Sequence, residues 1–392
     1  MYSALKNIHA LRSLCRYSRG PTRSVRFLTV LGIETSCDDT SICLLEASSP
    51  SPNQDSSNKP IIHALYTKRA LEEHEKYGGI YPPLAIETHQ VSLGPLIEKM
   101  QRENPVEFGN VGLVAVTQGP GFGGSLTIGL EVAKGLALGK GVPIIGVHHM
   151  QAHSLVARLL NPFRLPRFPF YSLLVSGGHT MLVRSDSLVN HTVLVQTVDI
   201  AIGDFLDKCA KYLQIPWEGR MPAAAMETWC EGQDGDSDVF KLPTPLDRRK
   251  AKYSSTLAFS FVGLETAIKR LLDKECLSIE EKKVLASEIQ TRSFSHLCEK
   301  TALALSKEAP GMVNSLVVSG GVASNTVLKK VLWETLEKYG IKEIQLYFPP
   351  PYLCSDNAAM IAWAGLEMYE AGFTSTFDMR PIPKWPIAEY AP

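Results

Sequence analysis

Two stretches of this chain, about 140 residues apart, have the same form. Leu173-Leu174-Val175-Ser176-Gly177-Gly178-His179-Thr180 and Leu316-Val317-Val318-Ser319-Gly320-Gly321-Val322-Ala323-Ser324-Asn325 each carry an apolar run into a Ser-Gly-Gly break. A short apolar run closed by such a break reads as a buried strand. The recurrence therefore calls for two buried strands that end in glycine turns with open backbone amides. It predicts paired phosphate and nucleoside loops, one on each side of a cleft. A chance recurrence of a tight turn is the competing reading.

A second signal lies just before the first of these turns. Ile144 to Val147 is a buried strand, and His149 and His153 follow four residues apart in a helical segment. That spacing puts both imidazoles on one helix face, a turn apart, as chelation of a divalent metal requires. Two ligands leave such a site open. Asp356 stands at the start of a helix that Pro349-Pro350-Pro351 delays, and it is the natural third ligand; a simple N-cap is its competing reading. Zinc and iron both suit a His₂Asp set.

Other segments carry weaker signals. The strand Phe27–Ile33 ends in Glu34-Thr35-Ser36-Cys37-Asp38-Asp39-Thr40, which is either a metal-phosphate turn or an acidic hairpin. Gly119-Pro120-Gly121-Phe122-Gly123-Gly124-Ser125 leads into a helix and lacks the GK[ST] ending of a P-loop. Asp199 to Asp204 opens a helix carrying Asp207, and Pro216 to Asp247 reads as irregular and polar. Arg248, Arg249, Lys250 and Lys252 form a basic run that suits a local nucleic-acid-facing patch or an ordinary solvated surface.

The ends and the size of the chain set its context. Before Glu34 there are six basic residues and no acid, the composition of a mitochondrial transit peptide, expected over residues 1–27. Without that leader the remainder is mildly acidic, so net charge does not draw nucleic acid to it. About 360 further residues exceed what one core usually serves, and two domains are expected. The eight cysteines form no CxxC pair, which suits a reducing compartment. No apolar run is long enough to span a bilayer, and no membrane is expected among the partners.

Taken together, GIETSCDDT, QGPGFGGSLTIGL, HHMQAH, LLVSGGHT, DIAIGDFLDKCAKYL, FSFVGLETA, VVSGGVASN, CSDNAAMIA and RPIPKWP run in order from Gly32 to Pro386. This series resembles the tRNA threonylcarbamoyladenosine-synthesising transferases, formerly misnamed glycoprotein endopeptidases, and specifically their mitochondrial branch. The resemblance implies an α/β chain of the two-lobed actin/sugar-kinase/chaperone-ATPase superfold, each lobe a mixed sheet flanked by helices. The first lobe is expected over 28–147 and 355–392, the second over 148–354. One divalent metal ion per subunit, zinc or iron, would sit on His149, His153 and Asp356. Donor contacts would map to Val175, Ser176, Gly177, Gly178, His179, Asp207, Gly219 and Asn325, with Asp38 or Asp39 assisting proton removal. The implied reaction moves threonylcarbamoyl from threonylcarbamoyl-AMP to the exocyclic amine of the adenosine 3′ of the anticodon, in mitochondrial tRNAs reading ANN codons. A homodimer in the mitochondrial matrix is the implied setting.

The chain departs from the family pattern in places. Asp39 stands where the pattern has Glu. Gly78-Gly79-Ile80-Tyr81-Pro82-Pro83-Leu84-Ala85-Ile86-Glu87-Thr88-His89 lacks the usual acid and Ser-Arg, Gly219-Arg220-Met221-Pro222 replaces a GGP, and Glu265 reverses a charge. Two other enzyme classes fit the residues less well. A zinc protease of the HExxH kind needs a base after its first histidine, where this chain has Met150. An ATPase or kinase of the same superfold has no use for the His₂Asp set.

Overall fold

A computed structural model of the chain describes residues 27–48, 59–246 except 162 and 164, and 256–390 except 310 and 312. The expected leader up to residue 26, most of the Ser/Pro-rich stretch after Ser48, and the basic run Arg248, Arg249, Lys250 and Lys252 lie outside the described residues. Phe27, expected to end the leader, already belongs to the first strand.

Two five-stranded sheets organise the chain. The first contains β1 (Phe27–Glu34), β2 (Thr40–Ser48), β3 (Ile61–Lys68), β4 (Val111–Gly119) and β5 (Ile144–His148), in the order β3-β2-β1-β4-β5. The second contains β6 (Phe170–Val175), β7 (Thr180–Ser185), β8 (His191–Gln196), β9 (Ser315–Ser319) and β10 (Gln345–Tyr347), in the order β10-β9-β6-β7-β8. The two share one plan. An antiparallel meander of three strands opens each, and two parallel strands reached through helical crossovers extend it on the other side. The fold is thus α/β with two mixed sheets flanked by helices, as expected.

Each sheet is apolar on both faces because helices cover both. Leu31, Ile33 and Val114 face the helices Pro82–Glu103 and Gly123–Lys140, and Leu173, Val175 and Val318 face the helices Ile202–Tyr212 and Ile279–Leu305. Between the sheets lies a third apolar cluster. There the helices His149–Leu159 and Ala358–Glu370 bring Leu155, Val156, Ile361 and Trp363 against Val30 and Leu113 of the first sheet and Phe170 and Val317 of the second. Gly32 permits this seam: a Cβ there would stand 2.3 Å from the carbonyl oxygen of Ala358. Among the described residues no helix is long and apolar enough to cross a membrane.

Three expectations need correction. The two Ser-Gly-Gly turns do not face each other across a cleft. β6 and β9 are adjacent parallel strands, Leu174 pairs with Ser319, and the turns stand side by side at one sheet end. Gly320, at φ 104°, lets them meet, since a Cβ there would lie 2.3 Å from the Val175 carbonyl oxygen. Second, the irregular stretch after Pro216 contains the helix Pro222–Trp229. Third, the triple proline does not hold off a helix until Asp356: Pro351 begins the short helix Pro351–Cys354, where its missing N–H costs nothing.

Candidate active site

The histidine helix starts where β5 ends, and His148 makes the junction. Its Nδ1 accepts the Met150 N–H at 3.2 Å, and its Nε2 lies 3.0 Å from the Trp385 carbonyl oxygen. Burial holds His148 neutral, with its pKa lowered to about 3. One turn on, His149 and His153 stand with ring centroids 4.8 Å apart. Asp356 meets both, its Oδ1 lying 3.4 Å from His149 Nε2 and 3.1 Å from His153 Nε2. Asn357, not Asp356, caps the helix Ala358–Glu370 by accepting the Met360 N–H, so the N-cap reading of Asp356 falls away.

The three donor atoms lie within 4.8 Å of one another, and no other His, Cys, Asp or Glu group of this kind occurs among the described residues. Ligands at 2.0–2.1 Å from a tetrahedral zinc ion stand roughly 3.3 Å apart. Both histidine-to-Asp356 separations match that spacing. The second nitrogens are also engaged. His149 Nδ1 lies 3.2 Å from Glu34 Oε2 and 3.3 Å from Ser36 Oγ, and His153 Nδ1 lies 3.4 Å from Ser319 Oγ. Such outer contacts fix the tautomer and aim the other nitrogen at a metal. His149 is therefore tied to the first sheet and His153 to the second.

Charge supports the same reading. Burial alone would lower the His149 pKa, but Asp356 and Glu34 outweigh it and push it up to about 10. Burial keeps His153 below its ordinary value. Asp356 is held well below the carboxylate range, because His149 and His153 overcome the cost of its burial. The carboxylates of Glu34 and Asp356 thus favour positive charge between them. The residues present fit a divalent ion.

The remaining expected residues are distributed around this centre. Val175 is buried at the end of β6, Ser176 and His179 close the first turn, and Gly177 and Gly178 are exposed with open space beside them. In that turn the Ser176 N–H donates to the His179 carbonyl oxygen at 2.8 Å, and the His179 N–H donates to Ser176 Oγ at 3.1 Å. The helix carrying Asp207 packs straight onto it, through a Gly203 N–H bond to the Ser176 carbonyl oxygen. Asp207 Oδ1 accepts the Ala223 N–H at 2.8 Å and so holds the start of the helix Pro222–Trp229; burial raises its pKa to about 6. Gly219 lies exposed in the preceding loop at φ 72°.

Asn325 is buried and already occupied. Its Oδ1 accepts the N–H groups of Val327 and Leu328, and its Nδ2 donates to Gln290 Oε1 at 2.8 Å. Asp38 and Asp39 sit in the turn after β1, and burial raises both pKa values, with Asp356 next for Asp38 and Asp38 next for Asp39. Asp39 is clasped by Arg69 Nε at 3.0 and 3.1 Å, whereas Asp38 is partly exposed and has no such clasp.

Three participants escaped the sequence reading. Glu34 was only a strand-end acid there, although a fully buried carboxylate implies a cationic partner. Arg69, which also donates to Ser355 Oγ at 2.8 Å, gave no signal at all. His148 was passed over beside its neighbour.

Known proteins resemble this chain over most of its length. The family model TsaD, tRNA N6-adenosine threonylcarbamoyltransferase, matches residues 62–363, which take in His149, His153 and Asp356. The chain belongs to the tRNA N6-adenosine threonylcarbamoyltransferase family. The mitochondrial tRNA N6-adenosine threonylcarbamoyltransferase of Schizosaccharomyces pombe is 46% identical over 373 residues, covering 93% of this chain and 88% of its own. The family's bacterial members from Polaromonas naphthalenivorans and Geobacter sp. (strain M21) are 37% and 35% identical, covering 93% of this chain and 97% and 98% of theirs. The chain is an enzyme of this transferase family.

Proposed function

We propose that the chain transfers a threonylcarbamoyl group from threonylcarbamoyl-AMP to the exocyclic amine of the adenosine 3′ of the anticodon, in mitochondrial tRNAs reading ANN codons. The observation that carries this reading is the meeting of His149, His153 and Asp356 at the seam of the two sheets, in a chain of this family. A divalent ion, zinc or iron, held by those three residues would grip the donor and polarise its carbamoyl group as a Lewis acid.

The chain's own groups supply the rest. The exposed Gly177–Gly178 turn offers amides to phosphate or to developing negative charge. Asp207, beside that turn, receives hydroxyls of the donor, and Gly219 leaves its loop open to it. Asn325 sets the helix start beside the second glycine turn and turns its spare amide hydrogen to the nucleoside. The adenine amine is a poor nucleophile, so holding it against the carbamoyl carbon is the main task. As its N–C bond forms, the C–O bond to AMP breaks, AMP leaves as the phosphate anion, and Asp38 takes the amine proton. Asp38 suits this better than Asp39, because it is partly exposed and Arg69 does not hold it.

Residues 1–26 act as a leader for import into the matrix, and the enzyme works as a homodimer with lobes 28–147 plus 355–392 and 148–354. The test is to incubate the purified, metal-analysed protein with donor and tRNA, then digest the tRNA and analyse its nucleosides. Threonylcarbamoyladenosine is expected at the one adenosine. ATP hydrolysis without transfer would instead assign the chain to the ATPases or kinases of its superfold.

A further inference from the structure

The segment that departs most from the family pattern forms a built surface feature. Tyr77 and Tyr81 stack with ring centroids 4.4 Å apart and planes 15° from parallel, yet they remain 60% and 41% exposed. Each ring covers one face of the other, so the exposed area is the outside of the stack. The turn is rigidly built around buried His74. The N–H groups of Tyr77 and Gly79 donate to its carbonyl oxygen, and the Tyr81 N–H donates to its Nδ1 at 3.2 Å.

Three contacts fix where this stack stands. Tyr81 precedes the helix Pro82–Glu103, whose His89 lies 3.0 Å from the Cys37 carbonyl oxygen, beneath the Asp38 turn. Eight helical residues put the stack roughly 12 Å from that contact. Ile86, one turn into the helix, touches the glycine loop: a Cβ on Gly124 would stand 2.6 Å from its Cδ1. Across the seam, Lys211 Nζ of the second-sheet helix lies 2.8 Å from a Cβ built on Gly79, and its charge is felt by Asp207. The stack therefore stands at the rim between Asp38 and Asp207.

We propose that Tyr77 and Tyr81 form a stacking platform for an anticodon-loop nucleobase flanking the target adenosine. The proposal rests on the transferase reading above. An unpaired loop base has a free π-face, and aromatic side chains take it whatever the base. The neighbouring charges are mixed, Glu72, Glu73 and Glu75 against Lys76 and Lys211, so the exposed aromatic face rather than net charge is what suits a base. A platform fixed in advance by His74 binds without an ordering cost.

The experiment compares Tyr77→Ala, Tyr81→Ala and the two Phe variants with the wild type, using a tRNA carrying 2-aminopurine on one or the other flank of the target adenosine. The wild type is expected to quench fluorescence at one flank. Each Ala variant should lose that quenching and raise the KM for tRNA at least about fivefold, with kcat and donor KM held and Phe variants within about twofold of wild type. The rise should be equal at low and high salt, because no phosphate contact is removed. Wild-type tRNA KM in both Ala variants, or no quenching at either flank, overturns the platform. So does a change in self-association with tRNA KM unaltered, which would make the pair a contact between copies of the chain. Absent threonylcarbamoyl transfer by the wild type would count against the transferase reading alone, because quenching tests the stack without turnover. Tyr77 ends the short helix Leu71–Lys76 through its backbone N–H alone, which an alanine keeps, so its variant keeps the test open if Tyr81→Ala misfolds.

Discussion

At His149 a buried carboxylate, Glu34, and a half-buried one, Asp356, compete for one positive charge, and much of the site's behaviour follows from that. Replacing His149, His153 or Asp356 by Ala should lower metal occupancy and nearly abolish transfer while circular dichroism stays near wild type; full occupancy in His149→Ala/His153→Ala would place the metal elsewhere. Glu34→Gln should weaken metal binding about 10- to 100-fold, the usual cost of losing an outer partner of a ligand. Competition against a fluorescent chelator measures it, and unchanged affinity would remove Glu34 from the site. Asp207 offers a pH test. Its folded pKa, about 6, lies above the ordinary 3.8, so the fold disfavours the charged form. The resulting loss of stability grows as pH rises from 3.8 and is complete above about 6. Asp207→Asn keeps the acceptor for Ala223 and should stabilise the protein by about 1–3 kcal/mol above pH 6, with no gain near pH 4, in urea melts. Transfer should fall in the same variant. At this scale the sequence marked the three residues that the structure brings together, because a four-residue spacing and a polar residue before a helix are local patterns. Glu34 and Arg69 stayed hidden, because their partners lie 115 residues away for Glu34 and 30 and 286 residues away for Arg69.

The elements that carry the ligands are bolted together one level up. Arg158, on the histidine helix, donates through Nε and Nη2 to both oxygens of Glu367, on the helix that follows Asp356. Its Nη1 reaches the Pro166 carbonyl oxygen at 2.5 Å, and its guanidinium lies 4.8 Å from the Phe168 ring centroid. Both partners are buried, so Glu367→Ala should destabilise by about 3–5 kcal/mol by leaving a bare guanidinium in the seam. Arg158→Met/Glu367→Leu should recover most of that loss in the same melts. Asn325→Ala removes a helix cap and should cost about 1 kcal/mol. Asn325→Asp should restore the cap, and any transfer defect that persists there marks the amide's own contribution. Long elements such as the helices Pro82–Glu103 and Ile279–Leu305 are legible in sequence, because each spans several turns. The helices Leu71–Lys76, Pro105–Gly109 and Pro222–Trp229 were not, because they are too short to show a period and depend on contacts such as Asp207 to Ala223.

Across the whole molecule, the two sheets repeat one plan while their turns diverge. The turn after β1 is acidic and the matching turn after β6 is glycine-rich, so one half bears carboxylates and the other open amides. The sequence hinted at repetition through its two Ser-Gly-Gly turns but misdirected it. They occupy neighbouring strands of one sheet, a pairing that only the strand order discloses. Acid should undo this assembly at identifiable places. Burial lowers the pKa values of His191 and His296 to about 4, below the ordinary 6.5. Their contribution is whole above pH 6.5 and is lost as pH falls towards 4, because the unfolded chain takes up those protons first. His296→Gln should flatten the fall in stability between pH 6.5 and 4 by about one proton; an unaltered slope would contradict it.

Asp356 and the helix Ala358–Glu370 come from about the last tenth of the chain. A ribosome delivers the two histidines long before the carboxylate that completes them. Until the end is made, one face of β1 also lacks its cover. A product broken off early therefore has neither the cage for an ion nor a finished interior. Assembly of the His149, His153 and Asp356 cluster thus waits on synthesis through the helix Ala358–Glu370.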